Sequence, residues 1–226
     1  MQDLIQHNIQ RMRSIIDEAK QHEADTAMLH QILRVEITKL HSAIQLPSTD
    51  SVEALCRFVE DYVNHVPEFV AAIHDLAEES GIGAQLEGVL SIATGFFLDP
   101  PQLLESHSGM MALMDEAYLA HRLIEEVNDR YISLCGQPLA PMDMTRSNLI
   151  VHHLIGEPFA NELDSAVQYS VELIMARRND LDNSALRDYM DEHRQRGWSQ
   201  EMARWPCLAE DLAIKLNFTD SPGPLH

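Results

Sequence analysis

Met110, Leu113, Ala117, Ala120, Ile124, Val127, Tyr131 and Leu134 recur at alternating intervals of three and four residues. That unbroken heptad stripe permits one local structure, an α-helix from about Gly109 to Cys135 with one face turned to an apolar partner. A chain carrying such a helix must supply further helical faces to cover it. Period-3.6 patterning dominates the remaining sequence, and no convincing strand is expected.

The N-terminus repeats the pattern. Ile5, Ile9, Met12, Ile16 and Ala19 keep a 4-3-4-3 spacing, which Leu29, Leu33, Ile37, Leu40 and Ile44 resume. KQHEADTA between them contains no Gly or Pro. The stretch therefore reads as one helix of about 40 residues, roughly 60 Å long, or as two helices broken near 21–26. A helix of that length is expected to pair with a second copy, making the protein a homo-oligomer through its N-terminal helix. The alternative is that it folds back on its own core.

Further along, Thr49, Asp50 and Ser51 offer N-caps to a helix whose inner face is Val52, Leu55/Cys56, Val59, Val63 and Val66. Pro67 is placed in the first turn of a separate helix running to Ser80 and stopped by Gly81. Gly83 to Leu98 is apolar enough to be the central buried helix. Ser108 is the expected cap of the heptad helix, and Thr145 or Ser147 that of a short helix ended by Gly156. Pro158 opens the next, with Phe159, Leu163, Val167, Val171 and Ile174 inward. A polar helix from Asn183 to Arg196 ends at Gly197, and a last one runs from Ser199 or Pro206 to about Phe218. The expected fold is an all-α multi-helix bundle of eight to ten helices with a long N-terminal amphipathic helix. Residues 1–178 form its main bundle, 179–218 a helical appendage anchored by Trp198 and Trp205, and 219–226 a frayed tail.

Charge narrows the partners. Of 16 basic and 36 acidic residues, residues 45–176 hold 4 and 21, a net of −17. Such a surface repels phosphate backbones and anionic lipid, so neither nucleic acid nor membrane is expected as a partner. A basic protein surface or divalent cations would be attracted. Arg177, Arg178, Arg187, Arg194 and Arg196 are interleaved with Asp180, Asp182, Asp188, Asp191 and Glu192, which reads as a salt-bridged solvent face. No apolar run approaches the roughly 20 residues a membrane span needs. MQDLIQHNIQRMR lacks a basic start followed by an apolar block, so no secretory leader is expected. Cys56, Cys135 and Cys207 are scattered in apolar contexts and read as buried thiols in a reducing cytoplasm.

The twelve histidines raise metal chemistry. Ligands on one helix must lie three or four residues apart, which selects His74/Glu78, His121/Glu125 and Glu18/His22. No histidine follows a glutamate by three positions, so the paired Glu-x-x-His signature of di-iron bundles is missing. His153 and Glu157 have the spacing, but Gly156 and Pro158 break the helix between them. His74-Asp75, within HVPEFVAAIHDLAEE, resembles the adjacent pair of HD-type metal phosphohydrolases. That resemblance implies a divalent metal held by His41, His74, Asp75 and Asp115 or Asp129, with a metal-bound water attacking a phosphoester. Against it, no Lys or Arg stands between Arg57 and Arg122 to hold phosphate. No Gly-rich phosphate loop, G-x-S-x-G elbow or Cys-x-x-Cys is found.

Thr94 to Asn128 also resembles the YkvA-like family of uncharacterised bacterial helical domains. Phe97, Asp99 and Pro100 match that family's aromatic and x-x-Pro helix end, Gly109 its glycine, and Asp115-Glu116 its acidic pair. Leu104-Glu105 departs from its Pro-Asp. The resemblance implies an all-helical fold and no established activity. On the heptad helix, Glu116 flanks the apolar stripe, His121 flanks it on the other side, and Asp115 points nearly away from it. The first reading of function is therefore an acidic interaction or regulatory module that works through protein–protein contacts, without catalysis and without a cofactor. Its rival is a metal-dependent hydrolase or di-metal protein.

Overall fold

In the computed structural model, which describes residues 2–101, 109–140, 142–176, 184–197 and 212–217, the heptad stretch is the axis of the molecule. Helix α5 (Met110–Cys135) follows α1 (Gln2–Thr26), α2 (Met28–Glu36), α3 (Ser51–Ser80) and α4 (Gly83–Leu98). It precedes α6 (Thr145–Ile155), α7 (Phe159–Ala176) and α8 (Ser184–Arg196). The all-α bundle is thus observed, with eight α-helices among the described residues. α5 packs on α1, α3, α4, α6 and α7.

That surround changes which helix is central. α4 buries one face, from Leu86 and Val89 to Phe97, whereas α5 buries Met114, Asp115, Tyr118, Leu119 and His121 in addition to its heptad stripe from Met110 to Tyr131. Leu134, expected in that stripe, is exposed. The expectation that Asp115 points away from the core is corrected: it is fully buried, and Glu116 nearly so. Over its first turns α5 is lined by other helices on the side its heptad pattern assigns to solvent, and only its last turns, Asp129 to Leu134, carry exposed residues.

The N-terminal helix breaks one residue beyond the expected interval. Ala27 adopts a left-handed conformation, φ 51° and ψ 35°, and Glu23 caps α2 by accepting from the N–H of Leu29 at 2.7 Å. The stripe from Ile5 to Ala19 is buried within the same chain, against α3, α4 and α5. Leu29 and Leu33 of the same pattern are buried too, while Ile37, Leu40 and Ile44 are only partly covered. Ala27 is exposed, and its Cβ is strained at positive φ. Ala27→Gly is expected to stabilise the protein by about 0.5–1 kcal/mol, read as a raised midpoint in urea unfolding.

Pro67 does not start a helix. It lies inside α3, a single 30-residue helix ended by Gly81 at φ 68°. One missing backbone hydrogen bond is outweighed because Val63 and Val66 before it, and Phe69, Val70 and Ile73 after it, all enter the same core. Side-chain caps also differ from expectation. Asp50 and Met144 occupy the N-cap positions of α3 and α6 without capping bonds. Ser51 instead donates to the Pro47 carbonyl, and Asp143 accepts from Thr145 N–H. Ser108 lies outside the described residues, as do Trp198 and Trp205.

Gly109 heads α5 at φ 61° and ψ −141°, a region open almost solely to glycine. A Cβ there would also stand 3.2 Å from the His22 ring. At the other end of α5, Asn128 pins the following loop: its Oδ1 accepts from Leu139 and Ala140 N–H, and its Nδ2 donates to the Ala140 carbonyl. Tyr189 of α8 donates to the Leu139 carbonyl at 2.8 Å. Leu186, Tyr189 and Met190 join the one continuous core.

Two short strands were not expected. β1 (Ile44–Gln45) pairs antiparallel with β2 (Lys215–Leu216), Ile44 opposite Leu216. A helix continuing to Phe218 is therefore corrected over 212–217: Ile214 fills the core while its neighbours complete a sheet edge. Cys56 and Cys135 are free and half-buried, not fully buried. Burial raises the Cys56 thiol to about 12, which leaves it protonated and unreactive. No described helix is long and apolar enough to cross a membrane.

Candidate functional site

Tyr118, Arg122, Glu125 and Glu126 share one face of α5 because they are spaced by three, four or a full two turns. α6 and α7 pack over that face and bring Asn148, His152 and Asp164 to it. The guanidinium of Arg122 meets three carboxylates: Glu125 at 2.6 Å, Glu126 at 2.9 Å and Asp164 at 3.0 Å. All four side chains are between 17 and 24% exposed. A cation half-withdrawn from water and hydrogen-bonded on three sides is a stronger anchor than an exposed surface pair.

Neutral groups extend the cluster into the core. Tyr118 donates to Asp164 at 2.9 Å, and Asn148 donates to Glu125 at 2.6 Å. The hydroxyl of Tyr62 on α3 donates to the Asn148 carbonyl oxygen at 2.6 Å. Burial, reinforced by neighbouring acids, pushes the Tyr62 and Tyr118 phenols above their usual range, so both stay protonated donors. Burial works against the Arg122 charge, but its bond to Asp164 and the charge of Glu125 overcome that and hold it ionised. His152 Nε2 stands 3.6 Å from the second oxygen of Asp164.

Between α5, α6 and α7 the cluster opens on a cleft of about 250 Å³, lined by Tyr118, Arg122, Glu125, Asn148, His152 and Asp164 with Thr145 and Leu149. The Arg122 guanidinium and the three carboxylates around it sum to −2. Arg122 is occupied by its own carboxylates and does not offer a vacant fork to an anion.

A second polar pair lies inside the bundle. His65 Nδ1 and His121 Nε2 are 3.0 Å apart, and the His121 ring sits 4.2 Å from Tyr62 and 5.1 Å from Phe69 between ring centres. Burial lowers His65 to about 4; burial and the neighbouring His65 lower His121 well below the usual histidine range. His121 Nδ1 lies toward the Ala117 carbonyl one turn back without reaching hydrogen-bond geometry. Both imidazoles are neutral, and a single N–H bridges them.

The residues singled out for metal chemistry are dispersed. The backbone N–H of His41 donates to His153 Nε2 at 2.9 Å, and His41 Nδ1 accepts from Ala43 N–H. His74 is buried on α3, Asp75 beside it is exposed, and Asp115 is buried on α5. Among the described residues, no group of three His, Cys, Asp or Glu side chains could hold a metal ion. His121 and Glu125 diverge, the first to His65 and the second to Arg122 and Asn148. His22 lies against Gly109, and Glu18 is exposed.

Sequence reasoning passed over Arg122, although it is the one basic residue between Arg57 and Arg130 and has glutamates three and four positions ahead. That spacing was a signal. Asp164, Asn148 and Tyr62 had none, because only packing unites them.

Fold and cluster together define an all-α bundle whose central helix carries an acidic, hydrogen-bonded network open to one cleft. No family model, curated protein or solved structure matches the chain. The turn within the YkvA-like resemblance, 102–108, lies outside the described residues.

Proposed function

We propose that this protein is an acidic interaction module that receives a basic side chain of a protein partner in the cleft between α5, α6 and α7. The observation that carries the reading is the surplus of acid at the cleft: three carboxylates surround one guanidinium. Two of the three, Glu125 and Asp164, line the cavity, and no second Lys or Arg among the described residues lines it. Asn148, Tyr62 and Tyr118 hold the carboxylates in place before any partner arrives, which reduces the ordering cost of binding. Leu149, 46% exposed, offers the rim an apolar contact for the aliphatic stem of a Lys or Arg. The net −17 of residues 45–176 steers a basic surface toward the cleft.

Fluorescence anisotropy with labelled Arg-rich and Glu-rich peptides tests this at two salt concentrations. The Arg-rich peptide is expected to bind, with affinity falling as salt rises. Asp164→Asn is expected to weaken it about tenfold, as loss of one charge-assisted hydrogen bond implies. Glu172→Gln, removing an exposed acid of α7 outside the cluster, should leave it unchanged. Equal loss in both variants, with native circular dichroism, would reduce the effect to net charge and defeat the reading.

A further inference from the structure

Residues of α1, α3 and α4 line a second cavity of about 130 Å³. Its floor is buried: Ile5, His74, Ala77, Leu90 and Thr94 are each 8% exposed or less. Its rim carries Glu78 and Glu87, both exposed, and no Lys or Arg among the described residues lines it. Two polar atoms of the floor, His74 Nε2 and Thr94 Oγ1, are buried without a hydrogen-bond partner among the described residues. Leaving such atoms unpaired costs about 1–3 kcal/mol each, and the two residues that carry them line one small cavity.

The walls are ordered by helix geometry. His74 and Glu78 stand one turn apart on α3 and share a face, and Thr94 stands one turn beyond Leu90 on α4. The Glu78 carboxylate reaches to 3.7 Å from where a Gly83 Cβ would sit, over the start of α4. With its proton on Nδ1, His74 presents an acceptor at Nε2, and Thr94 Oγ1 can accept as well. The cavity thus offers acceptors and carboxylates to one end of a ligand and Ile5, Ala77 and Leu90 to the other, with Asn8 and Ser91 completing its polar lining.

We infer that this cavity binds a small amphipathic amine, its ammonium donating to His74 Nε2, Thr94 Oγ1 and the Glu78 carboxylate while an apolar body rests on Ile5, Ala77 and Leu90. An ammonium has three donors and no acceptor, which matches this set of groups. The volume suits a body the size of a single aromatic ring, since an apolar protein cavity of about 150 Å³ takes benzene. An anionic ligand would meet two rim carboxylates and no cation.

The test is titration of the full chain with benzylamine, benzyl alcohol and phenylacetate, followed by two-dimensional NMR. Benzylamine is expected to saturate, shifting the signals of His74, Leu90 and Thr94, and to bind at least about tenfold tighter than benzyl alcohol. Phenylacetate should not bind. Glu78→Gln, on the exposed rim, is expected to weaken benzylamine about tenfold with an unchanged spectrum elsewhere. Ala77→Leu should abolish binding by filling the floor; if it fails to fold, Glu78→Gln alone decides. Three results would overturn the inference: no saturable shift at millimolar benzylamine, equal binding of benzyl alcohol, or full affinity in Glu78→Gln.

Discussion

Replacing Arg122 with leucine is expected to lower the free energy of unfolding by about 3 kcal/mol, the low end of the cost of breaking a buried ion pair from one side. The loss comes less from the bonds themselves than from what they leave behind. Glu125, Glu126 and Asp164 would face one another, mostly shielded from water, with no cation between them. Adding Asp164→Asn should therefore cost less than the two single changes summed, because the second change removes a charge the first stranded. Urea unfolding followed by circular dichroism measures both. A loss below about 0.5 kcal/mol for Arg122→Leu would mean that the cluster behaves like an ordinary surface ion pair.

Stability is also expected to fall as pH drops from about 6.5 to about 4, through the His65–His121 pair. His65 titrates near 4 in the fold, below its ordinary 6.5. Over that window the unfolded chain takes up a proton that the buried, neutral imidazole refuses. Stability from this site is fully present above 6.5 and lost as pH falls toward 4, by up to about 3 kcal/mol for His65. His121 is displaced in the same direction and titrates with its partner. Glu116 has the opposite sign. Burial, with Asp115 beside it, raises its carboxyl to about 8, so its contribution is complete below about 4.5 and lost as pH rises toward 8. The two windows overlap between about 4.5 and 6.5, where the limbs oppose each other, and above 6.5 only the Glu116 fall remains. Unfolding free energies measured from pH 4 to 8 should thus peak near 6.5. His65→Leu with His121→Phe should remove the acid limb, and Glu116→Gln the alkaline one. An acid limb unchanged in the double variant would assign it to other groups.

Both results depend on groups whose roles come from neighbours distant in the chain. Asp164 joins Arg122 across 42 residues, and His65 meets His121 across 56. Their types and local spacings resemble those of surface residues on any acidic helix. Glu125 and Glu126 relative to Arg122 are the exception, since an i,i+3 and i,i+4 arrangement is visible in one dimension.

What the sequence determined by itself is the helical class, the face each helix turns inward, and most helix ends. The heptad residues from Met110 to Tyr131 are buried as their spacing requires, as are Ile5 to Ile16 on α1. Gly81, Gly136, Gly156 and Gly197 follow the helices they end. These features rest on periodicity and local backbone chemistry, which adjacent residues encode. Tertiary structure alone decided that α5 and not α4 is central, that Asp115 and His121 are buried, and that helix α3 continues through Pro67. It also decided that the segment after Leu212 returns to β1. In each case the outcome depends on how many other elements surround a residue, a count that packing sets and local pattern does not contain.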